Sequence, residues 1–185
     1  PTIETIQSGE IWALLERRKQ EGVIRHYGVS INSAEEALAA IDAGAETIQL
    51  EYNLLDQTPA EKVFPAAKKA GVAIVVRVPL RRGLLSGKLT PEDQKRFQGE
   101  DVRARNFAGD VFKQQLERVE RLRFLAKPGR SLAQAAIAFC IADPAVATVI
   151  PGGRNKEQVR ENAAAAEARL SKEELDRIAG LWALK

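Results

Sequence analysis

A short β-branched segment followed by a capped helix recurs along this chain, and this alternation constrains the fold more than any other feature. The predicted strands, rich in Val, Ile and Thr, cover residues 23–29, 47–52, 72–78 and 146–150. Each is followed, directly or after a loop, by Ser, Thr or Asn with Glu or Gln three residues later, which is capping-box spacing. Strands that alternate with helices pair in parallel through right-handed crossovers. The sequence therefore predicts an α/β fold with a four-stranded parallel sheet.

Two segments depart from this alternation. Residues 2–21, before the first strand, predict one helix with Ile11, Leu14 and Leu15 on one face. Residues 90–106 are rich in charged side chains and predict an exposed loop, followed by a helix over residues 111–125. We expect a single domain over residues 1–185, in which the excursion at residues 80–110 is mobile.

Composition excludes several classes of function. Among the 185 residues, 28 are Lys or Arg and 25 are Asp or Glu, and the interleaved signs of a net charge of +3 do not suit a nucleic-acid surface. No apolar run approaches the ~20 residues of a membrane span. The only cysteine, Cys140, lies in an apolar run and is expected to be a core residue, so a reducing cytoplasm is the expected location. We predict no metal site.

Polar side chains line one face of the second predicted strand. Alternation places Gln49 and Glu51 on one face and Ile48 on the other. A polar face on a parallel strand suits the interior of an enzyme barrel near its carboxyl end. For Gln49, a ligand contact and a role in satisfying neighbouring backbone both stay open. Arg77, at the end of the third strand, can stack on a planar ring or pair with Glu51.

Two glycine-bearing segments have the composition of phosphate-binding loops. In VIPGGRNKEQVREN (residues 149–162), a strand stops at Pro151, glycines permit close backbone approach, and Asn155 with Gln158 can cap a new helix. In VPLRRGLLSGK (residues 78–88), Gly83 and Gly87 stand among three cations, Arg81, Arg82 and Lys88. The second pattern is weak by itself, because glycine-bearing loops with lysine are common on protein surfaces.

With IRHYGVS (residues 24–30) and IQLEYN (residues 48–53), these segments, in this order and spacing, resemble the C-terminal half of an aldo-keto reductase, an NADP-dependent (β/α)8-barrel oxidoreductase. The resemblance implies half of a TIM-type barrel with part of an NADP(H) site. It implies nicotinamide contacts on the first three strands, a pyrophosphate loop at residues 80–88, and adenosine-phosphate and adenine contacts in the closing segment. The cofactor-binding residues implied in this way are Ser30, Gln49, Arg77, Leu80, Gly83, Ser86, Lys88, Gly152, Arg154, Gln158 and Asn162.

The same resemblance implies that catalytic residues are missing. The Asp, Tyr, Lys and His of family catalysis come from the first half of the barrel, and none of those motifs is present, so we predict no catalytic residue and no carbonyl reduction by this chain alone. A half-barrel leaves sheet edges uncovered, so we expect a homodimer or higher oligomer, or a separate N-terminal half-barrel as partner. One alternative is that the chain is one piece of an active NADPH-dependent aldo-keto reductase that needs a separate N-terminal half, and another is a ligand-free structural or interaction module.

Overall fold

The four strands form one parallel sheet in the computed structural model, which describes residues 1–183 and the side chains of residues 1–181. Their order in the sheet is β1-β2-β3-β4, the order of the chain, and all three neighbouring pairs are parallel. The bounds are β1 Gly28–Ser30, β2 Thr47–Glu51, β3 Ala73–Arg77 and β4 Val146–Ile150. The predicted α/β fold, with four parallel strands alternating with helices, is confirmed.

Helices precede, separate and follow the strands along the chain. Several begin at the predicted caps: Ser33 and Glu36 form a reciprocal capping box on α3, and the side chain of Asn155 caps α8. The α-helices are α1 Ile3–Gln7, α2 Glu10–Gln20, α3 Ala34–Asp42, α4 Thr58–Ala70, α5 Val102–Asn106, α6 Val111–Glu120, α7 Leu132–Ala142, α8 Lys156–Ala164 and α9 Lys172–Ala183. Short 3₁₀ helices cover Arg81–Ser86, Pro91–Arg96, Arg123–Leu125 and Ala165–Glu167.

The described residues form two compact units. The first unit comprises Pro1–Tyr52, Asp56–Arg77 and Asp143–Ile150, and it holds the whole sheet with α1 to α4. The second unit comprises Asn53–Leu55, Val78–Ala142 and the described residues from 151 onward, and it holds α5 to α9. A single domain over the whole chain stays a prediction.

Strands β2 and β3 have one buried and one half-exposed face. Ile48 and Ile74 are fully buried, whereas Gln49, Glu51 and Arg77 occupy alternate, half-exposed positions. This is the alternation expected of a sheet with one face on the core and the other toward a polar site. The predicted polar face of the second strand is therefore confirmed.

The prediction of one opening helix is wrong. Gly9 adopts a left-handed conformation with φ of 78°, which ends α1 and starts α2 in a new direction. The predicted apolar face is also wrong, because Ile11 and Leu14 are each 40% exposed. Trp12 is the buried residue instead, and its indole N–H donates to the carbonyl of Ile6 at 2.7 Å.

The first strand begins later than predicted. Gly28 pairs with Thr47, the first residue of β2, so residues before Gly28 have no strand residue beside them. The backbone N–H of Tyr27 donates instead to the carboxylate of Glu46 at 3.3 Å. Val23, predicted to start the strand, is 68% exposed. The observed strand thus contains only Gly28 and Val29 of the predicted segment 23–29, and it ends one residue later, at Ser30.

Residues 90–110 are more ordered in structure than an exposed loop. They contain a 3₁₀ helix and α5, and Phe97 and Phe107 are buried with Phe112 in a cluster whose ring centroids lie 5.4–5.8 Å apart. The amide of Gln94 donates to the carbonyls of Phe107 and Gly109. The expectation of full exposure is wrong because three aromatic rings supply a small core, while the mobility of residues 80–110 stays a prediction.

Candidate cofactor site

In the first unit, the pairing of β1 with β2 brings two predicted nicotinamide contacts together. Ser30 lies opposite Gln49 in the strand register, and its hydroxyl donates to Gln49 Oε1 at 3.4 Å. Ser30 is exposed and Gln49 is half-buried. A hydrogen bond of this length is weak, so the hydroxyl and amide can exchange it for a ligand at little cost.

Arg77 extends this polar face to the end of β3. Its guanidinium donates to Glu51 Oε2 at 3.3 Å, to Asn32 Oδ1 at 2.9 Å and to the carbonyl of Ile31 at 3.2 Å. The Arg77 and Glu51 side chains are 23% and 19% exposed. The ion-pair interpretation of Arg77 is therefore confirmed, and stacking of its planar group on a nicotinamide ring stays a prediction.

In the second unit, the predicted pyrophosphate loop opens with strained backbone. Val78, Arg81 and Arg82 have φ of 56°, 45° and 55°, values that side-chain-bearing residues rarely adopt and that are least expected of a β-branched valine. The side-chain amide of Asn53, fully buried, donates to the carbonyl of Val78 at 3.3 Å. Nothing in the sequence signals this strain, because Val and Arg do not favour positive φ. Such strain concentrates at binding sites.

The predicted residues of this loop form one compact turn. The carbonyl of Leu80 accepts from the N–H groups of Gly83 and Leu85 at 2.9 and 3.1 Å. The hydroxyl of Ser86 donates to the carbonyl of Gly83 at 2.7 Å and accepts from the N–H of Lys88 at 3.3 Å. The structure therefore brings Leu80, Gly83, Ser86 and Lys88 together, and it gives Ser86 a structural partner in the turn itself.

In the closing segment, residues 149–162, hydrogen bonds of local side chains hold the start of α8. Asn155 Oδ1 accepts from the N–H of Gln158 at 2.9 Å, and Gln158 Oε1 accepts from the N–H of Arg154 at 2.8 Å. Asn162 donates to the carbonyl of Gly152 at 3.2 Å. The Arg154 side chain is exposed at the positive end of α8, where an anion is favoured. Capping by Asn155 is confirmed, the Gln158 side chain binds the N–H of the residue before the cap, and adenine contacts of Gln158 and Asn162 stay predictions.

The lack of a side chain at Gly153 allows the close packing at the start of α8. A Cβ at Gly153 would lie 2.9 Å from Val159 Cγ2, whereas a Cβ at Gly152 would meet nothing within 4 Å. The second glycine therefore serves the fold of the turn, and the first leaves its outer side open to a bound group.

An acidic and a basic residue near this region were missed by the sequence interpretation. Asp101 caps α5 and receives hydrogen bonds from Arg103 Nε at 3.0 Å and Nη2 at 2.6 Å. These hydrogen bonds, with a smaller contribution from the charge of Arg154, lower the pKa of Asp101 to about 2. The sequence does contain a signal for this pair, because Asp is a favoured helix cap and an Arg follows two residues later. The pair was assigned no role because the segment was interpreted as an exposed loop.

The part of the chain that the structure describes adds no metal site to the groups described above. Within residues 1–183, no cluster of His, Cys, Asp and Glu could hold a metal ion. Nδ1 of His26 lies 3.0 Å from a carboxylate oxygen of Glu46. Over the same residues, no helix has both the length and the apolar character needed to cross a membrane.

Comparison with known proteins gives one consistent result. Residues 3–183 match the model of the aldo/keto reductase family. The chain is 33% identical over 164 residues to the uncharacterized oxidoreductase YqkF of Bacillus subtilis (strain 168), a match that covers 86% of this chain and 51% of YqkF. The chain thus spans about half the length of the curated relatives it matches.

Solved structures agree with this match. The glycerol dehydrogenase AKR11B4 from Gluconobacter oxydans is similar with a TM-score of 0.77 and 27% identity, over 91% of this chain and 52% of that one. The holo form of aldo-keto reductase AKR11C1 from Bacillus halodurans is similar with a TM-score of 0.68 and 35% identity, over 90% and 53%. The four parallel strands with their helices correspond to half of a (β/α)8 barrel. The chain belongs to the aldo/keto reductase family.

Proposed function

We propose that this chain carries the cofactor-binding half of an aldo-keto reductase, binds NADP(H), and does not reduce carbonyls by itself. The observation that carries the proposal is the Ser30–Gln49 pair, in which the last residue of β1 lies opposite the middle residue of β2 and the two side chains are joined by a weak hydrogen bond of 3.4 Å. Family members use NAD(P)H, which supplies the hydride in carbonyl reduction when it is bound.

The Ser30–Gln49 pair has the groups that a nicotinamide carboxamide requires. The carboxamide presents an amide donor and a carbonyl acceptor, and Ser30 with Gln49 offers hydroxyl and amide groups of both kinds. Because these side chains stand on rigid neighbouring strands, the ring would be oriented without ordering a loop. Arg77, held by Glu51, Asn32 and the carbonyl of Ile31, presents a planar cation on the same face.

The second unit supplies the groups that a dinucleotide phosphate requires. Arg154 is exposed one residue before Asn155, the N-cap of α8, and Lys88 is exposed after the strained loop. A guanidinium at a helix N-terminus suits a ribose 2′-phosphate, because charge-assisted hydrogen bonds and the helix dipole act in the same direction. This arrangement supports a preference for NADP(H) over NAD(H).

We also propose that the chain lacks the catalytic groups of the family. The Asp, Tyr, Lys and His set of the family is not recognisable in these 185 residues, so no group is assigned as proton donor. We propose that the chain self-associates or combines with an N-terminal half-barrel, because β1 and β4 each pair on one side only. The lone buried Cys140 supports a reducing cytoplasm as the setting.

A fluorescence titration of the purified chain with NADPH tests this proposal. The wild-type chain is expected to bind saturably, and Gln49→Leu is expected to weaken binding by about fivefold through loss of a polar contact. Gln114→Leu, at an exposed position of α6, is the matched control and should leave the Kd unchanged. A folded chain that shows no saturable binding contradicts the proposal and favours a ligand-free structural module.

A complementation assay separates the inactive chain from one piece of an active enzyme. The chain alone is expected to give no carbonyl-dependent oxidation of NADPH above the protein-free rate. Addition of a separately made N-terminal half-barrel restores turnover only if the two pieces form one site. Turnover by the chain alone would disprove the proposed lack of catalytic groups.

A further inference from the structure

Asn53 is a fully buried polar residue of the second unit, and the dinucleotide contacts assigned above do not include it. Its side-chain amide donates to the carbonyl of Val78 at 3.3 Å, and its Oδ1 accepts from the N–H of Leu55 at 3.0 Å. The carbonyl of Leu55 in turn accepts from the guanidinium of Arg118, on α6, at 2.8 Å. Asn53 is therefore held by a chain of hydrogen bonds that begins on a helix and ends on Val78.

The carbonyl of Val78 is the point at which this chain of hydrogen bonds meets the strained loop. It accepts from the N–H of Arg81 at 3.1 Å as well as from Asn53, and Val78 and Arg81 both have positive φ. A β-branched residue leaves the left-handed region unless its surroundings hold it there. Because Asn53 is buried, relaxation of Val78 would cost its amide a hydrogen bond that water does not replace, so the contact opposes relaxation.

The strained loop has both buried and open positions. Leu84 and Leu85 are fully buried. Arg82 and Gly83 are half-exposed and Lys88 is exposed, so the open positions combine two cations with a glycine. An anion that binds these positions meets a backbone that is already ordered, and no binding free energy is lost in ordering it.

We propose that Asn53 is a positioning residue for the pyrophosphate of the dinucleotide, because through Val78 it holds residues 80–88 in the conformation that binds. The inference rests on the proposed function. Without the Asn53 amide, Val78 is expected to return to negative φ, and the turn closed by the N–H of Arg81 opens. Binding of a pyrophosphate then has to restore the loop, whereas a ligand without a pyrophosphate is unaffected.

Titration with NADPH, and its displacement by adenosine 2′-phosphate, which lacks a pyrophosphate, tests the proposal. Asn53→Ala removes the amide. Asn53→Ser keeps an oxygen that can accept from the N–H of Leu55 but does not extend to Val78, so one variant serves if the other fails to fold. Each is expected to raise the Kd for NADPH about fivefold, the size of one lost hydrogen bond, and to leave the Kd for adenosine 2′-phosphate within about twofold. Asn106→Ser, which removes an amide that bonds within α5, is the control and should change neither Kd.

Val78→Gly tests the route through which Asn53 acts. Glycine adopts positive φ without strain, so the Asn53 substitutions are expected to raise the Kd for NADPH by less than about twofold when Val78→Gly is already present. A merely structural role of Asn53 would give the same loss of affinity in both backgrounds.

The outcomes separate this inference from the function on which it rests. A loss of NADPH affinity in the Asn53 variants that spares adenosine 2′-phosphate and shrinks with Val78→Gly supports it. Unchanged NADPH affinity, equal losses for both ligands, or an equal loss in the Val78→Gly background overturns it and leaves the proposed function intact. Failure of the folded wild-type chain to bind NADPH overturns both.

Discussion

At the residue scale, buried charge is concentrated in the second unit around Glu174. This carboxylate is 7% exposed and accepts from both terminal nitrogens of Arg130, from the N–H of Ser171 and from Lys127. The hydrogen bonds from Arg130 are the main cause that lowers the pKa of Glu174 to about 2. Burial acts in the opposite direction, so the partners and not the environment keep this group ionised.

Acid should therefore weaken the fold through Glu174. Its folded pKa is below the ordinary value of 4.5, so its stabilisation is complete above about pH 4.5 and is lost as the pH falls toward 2. We expect Glu174→Gln to lower the free energy of unfolding by about 2 kcal/mol at pH 7 in urea, because Arg130 loses its partner. The difference from wild type should shrink below pH 4.

An exposed ion pair on the same helix is the control for that measurement. Lys172 and Asp176 lie 2.6 Å apart with side chains 87% and 65% exposed. Asp176→Asn should change stability by less than about 0.5 kcal/mol, since exposed pairs contribute little. Equal losses in the Glu174 and Asp176 variants would show that burial of the Glu174 cluster has no special role.

Cys140 should be unreactive in the folded chain. It is fully buried in α7, and burial raises the pKa of its thiol to about 12, so almost no thiolate forms at pH 8. A thiol reagent that gives a coloured product should label one cysteine per chain in urea and none in buffer within the same time. Rapid labelling of the folded chain would show that α7 opens readily.

At the element scale, the break between α1 and α2 depends on one glycine. Gly9→Ala puts a Cβ on a residue with φ of 78°, and we expect a loss of about 1 kcal/mol in unfolding free energy. Gly180→Ala, in helix α9 with no atom within 4 Å of the new Cβ, should instead stabilise by about 0.5–1 kcal/mol. Stabilisation by Gly9→Ala would show that a continuous helix over residues 2–21 is accessible after all.

Elements were predictable where local signals agreed with pairing. Strand β4 has its predicted bounds, and the capping pairs at Ser33 and Asn155 are present. Strand β1 was overestimated because pairing with Thr47 of β2, and not β propensity, sets its start. The site shows the same contrast. The positions of Ser30 and Gln49 could be predicted from the strands, whereas the Asp101–Arg103 pair depends on tertiary packing around Phe97.

At the scale of the whole molecule, β1 and β4 each pair with one strand only among the described residues, and the chain matches about half of each relative. Parallel sheets in α/β proteins are normally covered on both faces, so a half-exposed polar face indicates a surface that another group covers. On that face, Ser30 and Arg77 are the last residues of β1 and β3, and Gln49 lies beside Ser30, two residues before the end of β2. The carboxyl ends of the strands are where the sites of (β/α)8 barrels are found. We propose that cofactor binding accounts for this polar face.

The decisive measurement is the Kd of the chain for NADPH, determined by fluorescence on a species whose mass is verified by light scattering. We expect saturable binding that is weakened by Arg154→Gln and unchanged by Arg160→Gln, an exposed arginine later on α8. Absence of saturable binding by a folded chain, or equal effects of the two arginine variants, would contradict the claim that this chain carries the cofactor half of the site.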